Sequence, residues 1–581
     1  MNIFLKRVMI LGYILLLSSF GFADVLPRDI SYLINKHKFA SKDVSVYIKE
    51  TAKNRVVASY NIDNRMRPAS VIKVYSTYAS LLELGYDYRW ETKFYYRGSL
   101  SHGVLKGDLI VKGFGDPTLK SSDIPTIVSK IRAKGIRKIT GDIIIDRSYF
   151  SVPKKDSSHF DQNIYSAYNA MPDALMFNQH ISKFTISSKG GRHQINKKIP
   201  GDSYKISNTL KSVSGSCRGK RSWPHITVDH SNYTPVVRVS GKLAKSCPKR
   251  TYTYIITKPY KEFYNALRNR LLKQGVSFRG KMRVGRVPAN AKYLFAKYSD
   301  RLEKIISTTA KKSNNLYARH LLLTLGAKIY GAPSSLNKGR NAVVRILNRY
   351  RLLDVSRCKI DNGCGLSRAA NITARSMARV LDHAYKGYGK RWMNTLSIAG
   401  VDGTIKRRFR NTIVKNRAWM KTGTLNNAKN IVGYVHSRNN KLYTVVILVN
   451  GKRARWHGAM LENEIIKWLI DYRGSGSTFV DPLTQKAQER DRKLWGDKLD
   501  IELPQKTSSR TKRFFIQVGS FGSTPSRSFL GNLEKSGYQY HVLKQNSDNK
   551  VMIGPYKNNY DASKVLYTIR KQIPSAYITQ L

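Results

Sequence analysis

Ser70 and Lys73 are the first residues in the chain whose types and spacing suit acyl-transfer chemistry. They follow Pro68 at the start of an apolar pattern with three- and four-residue steps, which predicts an amphipathic helix. Residues three apart share a helix face, and the amides of a helix N-terminus stabilise negative charge. A serine there, beside a lysine that burial keeps neutral, is a candidate nucleophile with its base. Alone the pattern is weak, because Ser-x-x-Lys also begins at positions 335, 509 and 547.

Ser313 and Asn315 form a second candidate set, ahead of leucines at helical spacing. Serine and asparagine at a helix start are ordinary caps, and capping is one interpretation of this stretch. The other is a hydroxyl and an amide aimed at a substrate, with Ser313 passing a proton. Ser-x-Asn also occurs at positions 335 and 547, so this pattern is weak alone.

The third set is Lys421, Thr422, Gly423 and Thr424, in a stretch that predicts the edge of a strand. Glycine lets a substrate backbone approach closely. The lysine supplies a cation for a carboxylate, and the two hydroxyls can donate to it. Two predicted strands, 430–437 and 441–450, and a predicted helix, 456–470, follow.

The chain has 581 residues, enough for several domains, and 41% of them are apolar. Its 103 lysines and arginines against 37 acidic residues give a net charge of +66. Such a charge indicates either a solvated basic surface or attraction to a polyanion, whether nucleic acid, anionic lipid or acidic wall polymer. Lys6 and Arg7, an apolar run and Gly21-Phe22-Ala23 predict a signal peptide cleaved after Ala23. The alternative is an uncleaved anchor, for which the run is short. We therefore expect a periplasmic protein with no nucleic-acid partner.

The four cysteines agree with export, because an oxidising compartment permits disulfides. Sequence order suggests Cys217–Cys247 and Cys358–Cys364, although three connectivities exist. Neither Cys-x-x-Cys nor His-Glu-x-x-His occurs, so no metal site and no cofactor is predicted.

The spacing of apolar residues changes along the chain, and these changes suggest its domain organisation. A predicted hairpin, 44–60, leads to the Ser70 helix, and short alternating runs from 91 to 299 predict β-rich structure with a further insertion near 155–260. Within it, 113–118 is typical of a tight turn stabilised by Asp116. Helical patterns return from 300 to 470. A polar linker, 471–512, precedes a compact end in the order β-α-β-β-α-β, which predicts a ferredoxin-like domain at 513–581.

Taken together and in this order, Ser-x-x-Lys, Ser-x-Asn and Lys-Thr-Gly resemble the signature of penicillin-binding proteins and serine β-lactamases. The long β-rich stretch between the first two motifs is similar to that of the D-alanyl-D-alanine carboxypeptidase/endopeptidase family typified by penicillin-binding protein 4, over about 24–470. The resemblance implies an α+β multidomain fold: a β-lactamase/DD-peptidase-like catalytic domain (24–90 and 300–470) carrying inserted β-rich domains (91–299).

The resemblance also implies a role for each motif residue. Ser70 would be the acylated nucleophile and Lys73 its base. Ser313 would relay a proton to the leaving amine, and Asn315 would hold the substrate amide. Lys421 and Thr422, with help from Arg368, would bind the terminal carboxylate. The amides of Ser70 and Thr424, beside Gly423, would form the oxyanion hole. Asp161 and Tyr165 would contact the substrate. Cys364 stands where the family has serine between two glycines, and a disulfide to Cys358 would explain it.

The stretches 516–521 and 553–556 resemble the SPOR domain, a family that binds peptidoglycan glycan strands stripped of peptides and gathers at the division site. The alternative is a generic α+β interaction module. The expected protein is an exported serine D-Ala-D-Ala carboxypeptidase, DD-endopeptidase or both, enriched at the septum. Its expected partners are peptidoglycan stem peptides, denuded glycan, β-lactams as covalent inhibitors, and proteins of the division machinery. A β-lactamase-like hydrolase and a non-catalytic wall-binding division protein remain as alternatives.

Overall fold

A computed structural model describes two stretches of the chain. The first is 25–473, except 54, 154–160, 162, 164, 199–202 and 232–233. The second is 514–580, except 522–523, 537, 546–547, 557–561, 563–564, 567, 570–571 and 574–575. The predicted signal peptide and residues 474–512 of the predicted linker lie outside the described residues. The chain divides after Pro482 into two compact units. Among the described residues, no helix combines the length and the apolar character needed to cross a bilayer.

The chain before residue 91 contains the predicted hairpin and the predicted helix that begins near Ser70. Its elements are α1 (Arg28–Lys36), β1 (Val44–Glu50), β2 (Val56–Tyr60) and α2 (Lys73–Leu84). A short 3-10 helix, Ala69–Ile72, leads directly into α2. Ser70 therefore lies one turn ahead of the regular helix, and Lys73 is its first residue.

Residues 91–298 form a β-rich insertion between α2 and the next helices of the catalytic part. Its elements in chain order are β3 (Glu91–Ser101), β4 (Val104–Gly113), α3 (Ile124–Ala133), β5 (Lys138–Ile139), β6 (Ile143–Asp146), β7 (Ser182–Lys189), β8 (Arg192–Lys197), β9 (Lys205–Asn208), β10 (Lys211–Val213), β11 (His225–Asp229), β12 (Val236–Ser240), β13 (Lys242–Ala244), β14 (Arg250–Tyr254), α4 (Pro259–Lys273), β15 (Ser277–Phe278), β16 (Met282–Val284) and β17 (Lys292–Tyr298).

The insertion has two apolar cores, which explains its alternating sequence. Seven strands, β3–β6 and β15–β17, form one sheet that packs against α3 and α4. Three small sheets (β14-β7-β8, β11-β12-β9 and β10-β13) surround a second core. The predicted Cys217–Cys247 disulfide is confirmed beside that core. Asp116 accepts hydrogen bonds from the backbone and the hydroxyl of Thr118, which confirms its predicted role in the turn.

The chain after residue 300 returns to helices and completes the central sheet. Its elements are α5 (Leu302–Lys311), α6 (Asn315–Tyr330), α7 (Leu336–Arg349), α8 (Ala374–Met393), β18 (Ser397–Ile398), β19 (Ala418–Leu425), β20 (Ala428–His436), β21 (Leu442–Asn450) and α9 (Ala454–Asp471).

The central sheet joins the two ends of the first unit. Its six strands are antiparallel in the order β18-β19-β20-β21-β1-β2, so β1 pairs with a strand from the far end of the sequence. Side chains alternate between the two faces of a strand. Val432 and Val446 face the large core formed with α2 and α5–α8, whereas Lys429 and Val449 face Gly458 of α9. The sheet is therefore covered by helices on both faces.

The second unit is a small sheet with its own core. β22 (Phe514–Phe521), β23 (Tyr540–Gln545), β24 (Asp548–Tyr556) and β25 (Tyr577–Gln580) pair antiparallel in the order β23-β24-β22-β25. Helix α10 (Arg527–Lys535) follows β22, and the described residues of 562–569 are helical. This order confirms the predicted ferredoxin-like arrangement. The whole chain is thus an α+β protein with a β-rich insertion.

Candidate active site

Ser70 and Lys73 lie together, as the sequence predicts, at the junction of the 3-10 helix and α2. The Lys73 Nζ is 2.8 Å from the Ser70 Oγ. The Lys73 ammonium donates to the Asn315 Oδ1 at 2.7 Å and to the backbone carbonyl of Cys364. The lysine side chain is fully buried, although Ser70 itself is partly exposed. A partly exposed serine hydroxyl therefore has a buried amine directly behind it.

The surroundings of Lys73 lower its pKa and so make its neutral form more accessible. Burial lowers the pKa of Lys73 to about 8, and the positive charge of Arg319 acts in the same direction. Arg319 is itself buried on α6, where its guanidinium donates to the carbonyls of Asn169 and Ala170. A lysine with a pKa near the working pH can act as a general base.

The second motif stands at the start of α6 and combines the two interpretations of its sequence. Asn314 is the cap, because its side chain accepts from the Tyr317 amide at 3.0 Å. The side chains of its neighbours, Ser313 and Asn315, are therefore not needed to cap the helix. Ser313 has a φ of 52°, a left-handed conformation that is uncommon for serine, and its hydroxyl lies 2.9 Å from the Lys421 Nζ. Asn315 holds Lys73 through its oxygen and donates to the Tyr168 carbonyl at 3.1 Å.

The third motif lies on β19, at a point where one side of the strand has no neighbour among the described strands. The short β18 pairs only with Trp419 and Met420, so 421–425 pair on the β20 side alone. Lys421 is fully buried, and burial, followed by the charge of Lys73, lowers its pKa well below the ordinary value. The Lys421 ammonium donates to the Ser313 hydroxyl and to the Thr422 carbonyl. The strand thus brings a second amine to the serines.

Gly423 and Asn430 hold the strand close to the nucleophile. A Cβ at Gly423 would lie 2.7 Å from the carbonyl oxygen of Pro68 and 3.1 Å from the amide nitrogen of Ser70. Asn430, on the neighbouring β20, donates to the carbonyls of Pro68 and Arg67 at 2.9 and 2.8 Å. The absence of a side chain at Gly423 is therefore required for this packing. Beside it, the Thr422 hydroxyl is hydrogen-bonded to that of Thr404 at 2.8 Å, and Thr424 is exposed.

The loop 361–368 passes over the nucleophile, but the predicted Cys358–Cys364 disulfide is wrong. Both thiols are free and buried. The Cys364 thiol donates to the Asn362 side-chain oxygen at 3.1 Å, and Cys358 lies within the helical core. Each thiol thus has its own packing environment, and the backbone rather than a crosslink fixes the loop. Arg368, predicted to help with a carboxylate, is exposed at the end of the same loop.

The two substrate contacts predicted in the insertion, Asp161 and Tyr165, lie in different surroundings. Asp161 accepts from the Tyr168 hydroxyl at 2.6 Å and from the Asn169 amide at 2.8 Å. The carbonyl of Tyr168 contacts Asn315, so Asp161 supports a loop that reaches the site. Tyr165 stacks on His230 at 5.1 Å and packs against the core of the small sheets.

Several residues that shape the site are not among those singled out from the sequence. Arg319 follows Asn315 by four residues on one helix, so helical spacing is a signal that could have found it. Asn430 is a polar residue at the start of the apolar run of β20, which is a weaker signal. The Cys364 carbonyl gives no sequence signal, because every residue has one.

The arrangement combines a serine hydroxyl, a buried amine with a lowered pKa, a second serine held by a second amine, and an open strand edge. This set can form and break an acyl-serine bond to a substrate with a terminal carboxylate. The class of protein that the fold and the site define is therefore a serine acyl transferase or hydrolase of the penicillin-binding type.

Comparison with known proteins identifies the family within this class. Residues 26–471 match the D-Ala-D-Ala carboxypeptidase 3 (S13) family, and residues 511–580 match the SPOR domain. The D-alanyl-D-alanine carboxypeptidase DacB of Haemophilus influenzae is 27% identical over 453 residues, which cover 76% of this chain and 92% of DacB. A D-alanyl-D-alanine carboxypeptidase of Actinomadura sp. is 24% identical over 466 residues, which cover 77% and 85%.

The fold agrees with this match. The crystal structure of penicillin-binding protein 4 from Haemophilus influenzae superposes with a TM-score of 0.67 at 24% identity, covering 76% of this chain and 99% of that one. The chain therefore belongs to the D-Ala-D-Ala carboxypeptidase 3 (S13) family. It is a serine D-Ala-D-Ala carboxypeptidase with a DD-peptidase fold and a C-terminal SPOR domain.

Proposed function

We propose that the protein cuts peptidoglycan peptides through an acyl-enzyme at Ser70, both releasing terminal D-alanine and opening D-alanyl crosslinks. The observation that carries the proposal is the convergence of Lys73 on the Ser70 hydroxyl and of Lys421 on the Ser313 hydroxyl. Three segments from distant parts of the sequence supply these four side chains.

The acylation step follows from the partners of Lys73. A neutral amine has two N–H groups, which the oxygens of Asn315 and Cys364 can accept, and its lone pair then remains for the Ser70 proton. As the Ser70 Oγ bonds to the carbonyl carbon of the penultimate D-alanine, the hydroxyl proton passes to Lys73. The amides of Ser70 and Thr424 would stabilise the negative charge on the carbonyl oxygen.

Collapse of this intermediate breaks the peptide bond and leaves an ester on Ser70. Ser313 would give its proton to the leaving amine and recover the proton that Lys73 took from Ser70. Water would then hydrolyse the ester, its oxygen passing to the released carboxyl group and one of its protons returning to the Ser70 oxygen. Lys421 and Thr422, with the exposed Arg368, would bind the terminal carboxylate. Because burial opposes a charge on Lys421, the arriving carboxylate would itself favour protonation of Lys421.

The insertion is the basis for the proposed substrate contacts, and the C-terminal unit is the basis for the proposed location. Asp161 supports the loop that touches Asn315 and is proposed to contact the stem peptide, and Tyr165 is proposed as a second contact. The SPOR domain is proposed to bind denuded glycan and to enrich the protein at the septum, where division proteins would be its neighbours. We further propose that the protein is periplasmic and that residues 1–23 are its signal peptide.

Labelling with a fluorescent penicillin tests the chemistry. We expect a long-lived adduct on Ser70, because a β-lactam would acylate the same hydroxyl, and we expect Ser70→Ala to lose the adduct while unfolding at a similar temperature. Rapid turnover of the penicillin would favour a β-lactamase instead. No adduct on the folded wild-type chain would refute the acyl-enzyme.

Digestion of purified muropeptides tests the substrate. Loss of D-alanine from monomeric pentapeptides demonstrates carboxypeptidase activity, and conversion of crosslinked dimers to monomers demonstrates endopeptidase activity. Both should vanish in Ser70→Ala. Monomer trimming with intact dimers would remove the endopeptidase half of the proposal.

A further inference from the structure

An exposed face of the first unit combines cations with two large apolar side chains, and the catalytic mechanism uses none of them. On α9, Trp456 and Met460 are 64% and 49% exposed, which is high for residues of this size. They are four residues apart and Lys467 is seven further on, so the three share one face of the helix. We name the basic face after its residues: Lys406, Arg407, Arg410, Arg455, Trp456, Met460 and Lys467.

Arg408 holds the loop residues of the basic face (Lys406, Arg407 and Arg410) beside its residues on α9. Its guanidinium donates to the Ala459 carbonyl at 3.0 Å and to the Glu462 carboxylate at 2.5 Å. The loop is also anchored by Ile405 and Phe409, which are fully buried. Lys406 and Arg407, which lie between these two residues, and Arg410, which follows Phe409, are exposed.

The charge on the basic face is not neutralised by neighbouring acids. Residues 405–467 contain 14 lysines and arginines but only two acidic residues, Glu462 and Glu464. Glu462 is buried against Arg408, and Glu464 pairs with Lys36 and His37 on α1. Within the part of the chain that the structure describes, the five cations of the basic face lie outside ion-pair distance of any carboxylate.

The apolar pair decides between the anionic partners that such a charge attracts. Cations alone are enough to bind a highly charged polymer. Trp456 and Met460 gain from leaving water only when the partner also offers an apolar environment. A bilayer of anionic lipids offers both: phosphate groups for the cations and the boundary of the acyl chains for tryptophan and methionine. The Arg455 guanidinium already lies over the Trp456 ring, at 5.0 Å from its centroid. We propose that the basic face docks the protein on the surface of an anionic phospholipid membrane.

Cosedimentation of the mature full-length chain with vesicles tests this proposal. The probes are vesicles of phosphatidylcholine with and without phosphatidylglycerol. We expect binding only with the anionic lipid, and weaker binding as salt increases. Because each cation near an anionic surface contributes roughly fivefold in affinity, Arg455→Gln with Lys467→Gln should weaken binding by about twentyfold. Trp456→Ser with Met460→Ser should also weaken it, although the charge is unchanged.

Matched controls separate the basic face from the general charge of the protein. Lys134→Gln with Lys273→Gln removes two exposed cations from the insertion and should leave vesicle binding within about twofold. Penicillin labelling should be unchanged in all three variants, which verifies folding. An equal loss in the control pair, or no loss in either basic-face variant, would overturn the proposal. Loss of binding to isolated wall sacculi but not to vesicles would overturn it in favour of a wall polymer.

Discussion

At the scale of single residues, the proposed acylation depends on the protonation of Lys73. In that mechanism its amine must be neutral to accept the Ser70 proton, and burial, with a smaller contribution from the charge of Arg319, lowers its pKa to about 8. The fraction of neutral lysine therefore increases as the pH rises through 8. The fold, rather than the intrinsic basicity of lysine, makes the residue useful near neutral pH.

We predict that the rate of acylation by penicillin rises with pH and levels off above an inflection near 8. Arg319→Gln removes a positive charge, so the pKa of Lys73 and the inflection should move to higher pH. Arg319→Lys keeps the charge and should shift the profile less. Stopped-flow measurement between pH 6 and 10 gives the profile, and a flat profile or a shift to lower pH would contradict this account.

The two free thiols give a second prediction at this scale. The chain has four cysteines, of which Cys217 and Cys247 are bonded. Denatured but unreduced protein should therefore take up two equivalents of an alkylating reagent, at Cys358 and Cys364, by mass spectrometry. Cys364→Ser should label with penicillin within about threefold of wild type, because its carbonyl is the contact for Lys73. If the protein takes up no reagent, Cys358 and Cys364 are bonded to each other, as the sequence order suggested.

At the scale of elements, close backbone approach positions Ser70, the proposed nucleophile. A Cβ at Gly365 would lie 2.0 Å from the Ala69 carbonyl oxygen and 2.8 Å from the Ser70 amide nitrogen. Gly365→Ala must displace the 3-10 helix that carries Ser70, and we expect acylation to slow by about 100-fold. Gly85→Ala is the control, because Gly85 has a similar positive φ but no atom near its Cβ position. Acylation equally slow in both variants would mean general destabilisation.

A segment of the insertion supports the second motif in the same way. Asn178, Gln179 and His180 have consecutive φ angles of 48°, 56° and 58°, and the Gln179 side chain accepts from Asn314 at 2.9 Å. Asn314 caps α6 between the two motif residues that face the site. Gln179 therefore holds the motif that contains Ser313 and Asn315, which we propose to be catalytic, from another part of the fold.

Substitution of Gln179 tests this positioning role. Gln179→Gly keeps the left-handed backbone but removes the hydrogen bond, and we expect acylation to slow by about tenfold. Asn178→Gly is matched, because it removes bonds to Ser121 on the same segment and leaves Asn314 in place. It should cost about 1 kcal/mol of stability without the same loss of rate. Similar rates in the two variants would exclude a specific role for Gln179.

These elements show which features were predictable from sequence and which were not. The helix after Ser70, strand β19, the hairpin and the C-terminal order follow from periodicity and punctuation, which are local properties. The cap at Asn314, the role of Gly365 and the reach of Gln179 depend on contacts between distant segments. The Cys358–Cys364 prediction failed for the same reason, because short spacing does not reveal that each thiol points into a different environment.

At the scale of the whole molecule, the two compact units suggest separable tasks. The second unit has its own core, including Ile516, Leu533 and Ile553. A chain ending at 512 should therefore fold and cleave soluble pentapeptide at the wild-type rate, within about twofold. It should lose affinity for sacculi stripped of peptides and septal enrichment in cells. Residues 513–581 fused to a fluorescent protein are the reciprocal control, and a fusion that fails to bind stripped sacculi would exclude the SPOR-based targeting.

The pairing of β1 with β21 places Ser45 opposite Leu448, so the sheet beside the nucleophile closes only when nearly all of the first unit has been synthesised. Contacts of such long sequence separation form late in folding. Incomplete chains and proteolytic fragments that lack β21 cannot assemble the reactive serine. Covalent antibiotic binding in a cell extract would consequently count only copies whose first unit is complete, and copies that lack β21 would not consume the drug.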